Sequence, residues 1–270
     1  MSKNKPIGVF DSGLGGLTVL KELKKLLPDE DFVYFGDTGR VPYGTKSVET
    51  ILKYAKEDQA FLQSKDVKMI IAACGTVSSL TLENKPDHNI PYFEMITPAV
   101  NMALGTTKTG KVGVIGTNAT VKSEAHKNML TKNNNELNVT AAACPLFVPL
   151  VENGVIDKND EIVKSVIARH LKPIKDAGCD TLILGCTHYP ILADAIGEYL
   201  KDTALINPGV ALAKMVKEYL IKNDMLNDKG GNISYFVSDR PYSFKKQIQI
   251  LLNEEDVGWV EEIDIENWGV

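Results

Sequence analysis

Several large functional classes are excluded by what this chain lacks. It has no apolar run near the roughly eighteen residues that a membrane span needs. Its N-terminus lacks the basic, apolar and small-residue order of a secretory leader, so a cytoplasmic protein with no membrane partner is expected. A formal net charge of -5 over 270 residues leaves no basic excess, and the lysines in residues 21–25 and 172–175 are interrupted by acidic or apolar residues. Nucleic acid is therefore not an expected partner. No Gly-Lys-Ser/Thr phosphate loop occurs. The turn Gly13-Leu14-Gly15-Gly16-Leu17-Thr18 resembles a dinucleotide fingerprint only loosely, because Thr18 stands where the third glycine belongs, and no nucleotide cofactor is expected.

Cysteine and histidine are also scarce. The four cysteines (Cys74, Cys144, Cys179 and Cys186) include no Cys-X-X-Cys pair, and in a reducing compartment they read as free thiols. A soft metal wants three or four Cys or His ligands. Cys186 and His188 could serve, but His88, His126 and His170 fall at no spacing that recruits them, so no metal is expected.

What remains is an ordinary globular composition, 44% hydrophobic and 24% charged, in a chain long enough for one large or two moderate α/β units. Apolar runs at residues 5–10, 31–35, 67–73, 90–96, 111–116, 137–143, 181–184, 204–206 and 233–237 read as strands. Helical stretches alternate with them, with starts at Ser47, at Thr97-Pro98, after Thr117, at Asp160, at Asn207-Pro208 and after Pro241; Pro190 marks one more helix start. This alternation predicts an α/β fold of mostly parallel sheets flanked by helices. Gly8-Val9-Phe10 and Gly113-Val114-Ile115 recur at nearly the same offset as Cys74 and Cys186, which predicts two similar lobes with a cleft between them. The first lobe is expected over residues 1–97 and 207–270, the second over 98–206.

The two matched stretches carry the chemistry. Ile70-Ile71-Ala72-Ala73-Cys74-Gly75-Thr76 and Leu182-Ile183-Leu184-Gly185-Cys186-Thr187-His188 each run from an apolar strand into a cysteine at its C-terminal edge, where open α/β sheets bind ligands. A lone cysteine is usually a small buried hydrophobe, and that reading stands for Cys144 and Cys179. Two in the same context point to opposed thiols. A redox pair and a metal site are the rivals; proton transfer fits best, with a thiolate favoured by a nearby helix N-terminus removing a proton and the opposite thiol returning one. Asp11, at the edge of the first strand, is either an auxiliary acid/base or a cap on the next helix. His188 could tune the Cys186 proton, and Glu152 interrupts an apolar segment where it could face that thiol. Hydroxyls and amides at Ser12, Tyr43, Gly44, Thr76, Thr117, Thr120 and Thr187 could cradle a carboxylate.

Five motifs together resemble the glutamate racemases of the cofactor-independent aspartate/glutamate racemase superfamily. They are Gly8-Val9-Phe10-Asp11-Ser12-Gly13-Leu14-Gly15-Gly16-Leu17-Thr18; Gly36-Asp37 through Pro42-Tyr43-Gly44; Cys74 with Thr76; Gly113-Val114-Ile115-Gly116-Thr117 with Thr120; and Leu184-Gly185-Cys186-Thr187-His188-Tyr189-Pro190. Thr-His after the second cysteine favours the glutamate branch over the aspartate branch. The resemblance implies interconversion of L- and D-glutamate without pyridoxal phosphate or metal, D-glutamate for peptidoglycan, and a homodimer. It implies that Cys74 takes the α-proton of D-glutamate and Cys186 that of L-glutamate, with Asp11 assisting Cys74, and His188 and Glu152 assisting Cys186. Substrate contacts would come from Asp11, Ser12, Tyr43, Gly44, Gly75, Thr76, Thr117, Thr120, Thr187 and His188. Two positions depart from the family pattern: Gly75 stands where asparagine is usual, leaving only a backbone amide, and Asn207 stands where an acidic residue is common. A non-catalytic amino-acid-binding module on the same scaffold, or a racemase for another amino acid, are the other readings.

Overall fold

The first strand, β1 (Ile7–Asp11), is buried at every position, because a helical layer covers each face of its sheet. In the computed structural model, which describes residues 3–82, 89–252 and 258–268, it is followed by α1 (Gly16–Leu26), β2 (Phe32–Gly36), α2 (Val48–Ser64), β3 (Met69–Ala72), α3 (Gly75–Thr81), β4 (Tyr92–Phe93) and α4 (Ile96–Thr106). The chain continues through β5 (Lys111–Gly116), α5 (Asn118–Lys122), α6 (Ala125–Asn133), β6 (Asn138–Ala143), α7 (Phe147–Glu152), α8 (Glu161–Asp176), β7 (Thr181–Leu184), α9 (Ala193–Leu200) and β8 (Ala204–Ile206). It closes with α10 (Pro208–Lys222), β9 (Ile233–Val237), α11 (Pro241–Leu252) and β10 (Val260–Glu262). None of the described helices is long and apolar enough to cross a membrane.

Two parallel sheets result, ordered β10-β9-β2-β1-β3-β4 and β6-β5-β7-β8. The motif β2-β1-β3-β4 of the first recurs as β6-β5-β7-β8 in the second, so the offset visible in the sequence is a repeated topology. In each, the chain leaves its first strand in one direction and returns on the other side. The crevice at that reversal lies between β1 and β3, and again between β5 and β7. Ligands bind at such crevices in open parallel sheets, and Cys74 and Cys186 follow β3 and β7.

The helices are placed by their apolar stripes. Leu17, Val19, Leu20 and Leu23 of α1 are buried against Leu212, Ala213 and Val216 of α10; each fully buried aliphatic side chain contributes about 1.5–3 kcal/mol. Polar side chains fix several starts. Ser47 accepts the Thr50 amide, Thr117 that of Thr120, Asp160 those of Ile162 and Val163, and Asn207 that of Gly209.

Some boundaries differ from the sequence reading. The strand expected over 90–96 shrinks to Tyr92–Phe93, because the carboxylate of Glu94 folds forward to accept the amides of Ile96 and Thr97 and opens α4 there. Thr97 thus lies inside the helix and does not cap it. Pro190 sits in a short 3-10 turn, Tyr189–Leu192, ahead of α9. A left-handed residue, Glu124 (φ 54°), divides α5 from α6. Two elements were not foreseen: α7, whose Pro149 masks its helical character, and the edge strand β10, whose residues pair only because β9 lies beside them.

Candidate active site

Both cysteines open onto one cavity of about 340 Å³ at the C-terminal edges of the two sheets. From the first sheet's side come Ser12, Tyr43, Gly44, Cys74, Gly75 and Thr76; from the second come Thr117, Glu152, Cys186, Thr187 and His188. Cys74 is the extended residue that begins α3, and its carbonyl accepts the Ser78 amide. Cys186 follows β7 in a tight turn in which its carbonyl accepts the Tyr189 amide.

The two strand ends touch through backbone. A Cβ built on Gly75 would lie 2.4 Å from the Gly185 carbonyl oxygen, so this approach requires glycine at 75. One on Gly15 would meet Thr187 Oγ1 at 2.1 Å and His188 Nδ1 at 2.6 Å. A hydroxyl pair completes the seam, with Thr76 Oγ1 and Thr117 Oγ1 3.0 Å apart.

The surroundings of the thiols are unlike. Cys74 Sγ donates to Ser12 Oγ at 3.5 Å. Burial, then the charge of Asp11, pushes its pKa up to about 12, against the opposing effect of the Ser12 contact. At Cys74, desolvation outweighs the dipole of the two-turn helix that was expected to favour its thiolate. Cys186 Sγ lies 3.9 Å from His188 Nδ1, and His188 Nε2 lies 3.2 Å from Glu152 Oε1, an ion-pair distance without hydrogen-bond alignment. Burial would lower the His188 pKa, but Cys186, Glu152 and Asp11 outweigh it and raise it to about 10. At neutral pH the ring is an imidazolium.

Asp11 is not on the cavity wall. It stands behind Ser12 and Gly13, 1% exposed, with Oδ2 accepting the Gly13 amide at 2.9 Å and Oδ1 without a hydrogen-bond partner. Burial raises its pKa, while His188 and the amides of Gly16, Gly13 and Ser12 pull it back. Gly15, not Asp11, occupies the N-cap position of α1, and Asp11 sits where its charge acts on both Cys74 and His188.

Two other expected contacts turn away from the cavity. The Tyr43 hydroxyl is held by Asp37 and, at 3.2 Å, by Asp58, so the cavity receives other parts of the residue. Thr120 stands behind Thr117, its hydroxyl 3.0 Å from Thr117 Oγ1, and lines a separate cavity of about 240 Å³ with His126. Sequence reasoning missed Arg40, which is 6% exposed and joins Asp37 at 2.7 Å, Asp58 at 2.8 Å and Glu57. This cluster ties the loop carrying Tyr43 and Gly44 to α2, and the only signal for it was the single arginine in that glycine-rich loop. Asn118, Pro145, Val148 and Pro149 also line the cavity without having been singled out. Cys144 and Cys179 are buried in the core packed on the second sheet. Among the described residues no three His, Cys, Asp or Glu side chains gather as a metal site; His88 lies outside the described residues.

The arrangement is a pocket with a thiol on each of two walls and hydroxyls and amides around them. Comparison with known proteins gives the family. The sequence profile described as Asp/Glu/Hydantoin racemase matches residues 7–216. The glutamate racemase of Geobacter metallireducens is 45% identical over 244 residues, 89% of this chain and 90% of that protein. That of Aquifex aeolicus is 44% identical over 250 residues, 92% and 94% of the two chains. The crystal structure of glutamate racemase from Francisella tularensis in complex with D-glutamate superposes with a TM-score of 0.89 at 37% identity, covering 98% of this chain and 100% of the other. With the profile spanning both cysteine motifs and such similarity over nearly its whole length, this chain belongs to the Asp/Glu/Hydantoin racemase family, an isomerase of the glutamate racemase branch.

Proposed function

We propose that this enzyme interconverts L- and D-glutamate by two-base proton transfer between Cys74 and Cys186. The observation that carries the reading is that both thiols line one cavity, from different sheets, each with its own ionisable partner. In the L-to-D direction the Cys186 thiolate accepts the α-proton, the electron pair remains on the substrate as a carbanion delocalised into the α-carboxylate, and the Cys74 thiol donates its proton to the opposite face. The D-to-L direction reverses the roles. A positioned acid or base of this kind is worth roughly 10²–10⁴-fold in rate.

The neighbours suit that division. The imidazolium of His188 stabilises a thiolate at Cys186 and is itself held by Glu152. At Cys74 the barrier to ionisation is burial and the Asp11 charge; the positive charge of the substrate's α-ammonium in the cavity opposes both. Ser12, Thr76, Thr117 and Thr187 offer hydroxyls to the carboxylates, and Gly44 and Gly75 offer backbone amides. Each turnover leaves the proton on the other wall, so thiol and thiolate must exchange before the same isomer reacts again; His188, whose Nδ1 lies 3.9 Å from Cys186 Sγ, is placed to take part in that exchange. The same reading takes the protein as a cytoplasmic homodimer that supplies D-glutamate for peptidoglycan, divided into lobes of residues 1–97 with 207–270 and of 98–206.

The test is incubation of the purified protein with L-glutamate in deuterated water. The expected result is D-glutamate carrying deuterium at the α-carbon. The absence of both the D-isomer and α-deuterium would rule the reading out.

A further inference from the structure

Thr18, the residue that spoils the dinucleotide-like turn, has no place in the cavity wall, yet its hydroxyl makes a contact between the lobes. Oγ1 lies 2.8 Å from the Thr187 carbonyl and 2.9 Å from the Gly15 carbonyl. A hydroxyl has one hydrogen to give, so it is shared between its own helix turn and the loop of the other sheet that carries Cys186 and His188. Thr187 is 4% exposed, and its carbonyl loses a donor in a nearly dry place when that hydroxyl is removed; an unpaired buried acceptor is costly.

Gly15 supplies a second, independent observation. The site its Cβ would occupy is filled by Thr187 Oγ1 and His188 Nδ1, so the Thr187-His188 segment rests directly on the first turn of α1. His188 Nδ1 is also the atom that faces Cys186 Sγ. A tilt of the peptide between Thr187 and His188 therefore moves the imidazole relative to the thiol. The groups facing that ring are Cys186 from its own turn, Glu152 from α7 and Asp11 from β1.

We propose that Thr18 is a positioning residue: its hydroxyl clasps the Thr187 carbonyl across the lobe seam and so fixes the aim of Cys186 and His188 at substrate. The inference rests on the two-thiol racemisation proposed above. It predicts an effect on one wall of the site, because the Thr18 hydroxyl bonds to the loop that carries Cys186.

The experiment compares wild type, Thr18→Val, Thr18→Ala and Thr18→Ser, each assayed in both directions with α-protonated and α-deuterated glutamate. Thr18→Val and Thr18→Ala should lower kcat by about tenfold, the scale of one buried hydrogen bond, with KM changed less than about twofold. Thr18→Ser should return to within about twofold of wild type. Proton removal by Cys186 becomes more rate-limiting, so the isotope effect on kcat/KM should rise with α-deuterated L-glutamate and fall with α-deuterated D-glutamate. Wild-type activity in Thr18→Val, a loss that Ser does not restore, or isotope effects unchanged in both directions would each overturn the clasp. A variant that merely lowers the folded fraction gives the last of these. An inactive wild type would bring down the racemase reading and the clasp with it, whereas an active wild type with an indifferent Thr18→Val removes the clasp alone.

Discussion

The two halves of the site share a topology but not a chemistry. β2-β1-β3-β4 and β6-β5-β7-β8 present a thiol at the same reversal of strand order, yet Cys74 meets a hydroxyl and a buried carboxylate, and Cys186 meets an imidazolium backed by a carboxylate. The sheet decides where each thiol stands, and the neighbouring side chains decide which charges surround it. An enzyme whose two substrates are mirror images has no need for mirror-image walls. The equilibrium constant between enantiomers is one, so the walls can differ in each microscopic step while kcat/KM remains tied between the two directions.

The largest effect should come from removing either carrier. Cys74→Ser and Cys186→Ser should each lower racemisation by at least about 10³-fold, since a hydroxyl is far too weak an acid to exchange the proton. Because of the tie just described, kcat/KM should fall equally in both directions for either variant, while the two should differ in which enantiomer still exchanges its α-proton with deuterated solvent. Residual exchange should be of D-glutamate in Cys186→Ser and of L-glutamate in Cys74→Ser, read by proton NMR. The opposite pattern would reverse the assignment of the walls.

Next in size is the residue after each thiol, Gly75 on one side and Thr187 on the other. A methyl at 75 points at the Gly185 carbonyl oxygen, which is backbone and cannot rotate aside. Gly75→Ala should therefore part the strand ends, at a cost of about 1–3 kcal/mol by overpacking, and lower kcat by widening the gap between the thiols. Chemical denaturation and steady-state rates measure the two consequences. Unchanged stability would mean that the ends are free to separate, and that the close approach does not set the spacing of the walls.

Much of this was legible in the sequence, and the failures have physical reasons. The thiol strands read clearly because an apolar run ending in Gly or Cys before Thr leaves few alternatives, and the helix starts at Ser47, Asp160 and Asn207 read because capping is local. Arg40 and Asp58 did not, because a charge in a loop and one on a helix look solvated until folding buries them together. The Tyr43 hydroxyl was assigned to the cavity for the same reason. Nor could the sequence reveal that Asp11 sits behind the wall, which depends on how the Ser12-Gly13 turn folds over it, or that burial would hold Cys74 protonated.

The pH dependence of stability separates the walls again. His188 is near 6.5 when unfolded and about 10 in the fold, so its contribution is fully present below about pH 6.5 and is lost as pH rises toward 10. Cys74 goes from 9.0 to about 12, and its contribution is lost between those values, again as pH rises. Each loss is of the order of 1 kcal/mol per pH unit within its window. Urea unfolding followed from pH 6 to 11 should show His188→Gln flattening the lower part of the decline and Cys74→Ser the upper part. If His188→Gln left the slope between pH 7 and 9 untouched, the imidazolium beside Cys186 would not exist in the free enzyme, and the contrast between the walls would reduce to hydroxyl against ring.

The smallest effect tests the two helix starts that looked alike in sequence, Thr97-Pro98 and Asn207-Pro208. At Asn207 the side chain accepts the Gly209 amide at 2.9 Å, so Asn207→Ala should cost about 1 kcal/mol. At Thr97 the residue is already helical and Glu94 takes the first amides, so Thr97→Ala should stay within about 0.5 kcal/mol of wild type. Both positions lie where the chain passes from one sheet to the other, and the difference follows from what precedes each proline. A carboxylate three residues before Thr97 reaches amides that its hydroxyl would otherwise serve, whereas β8 delivers Asn207 itself to the helix end. Equal losses in the two variants, measured by urea midpoints, would mean that Thr97 caps α4 in solution and that the difference between the crossings is not real.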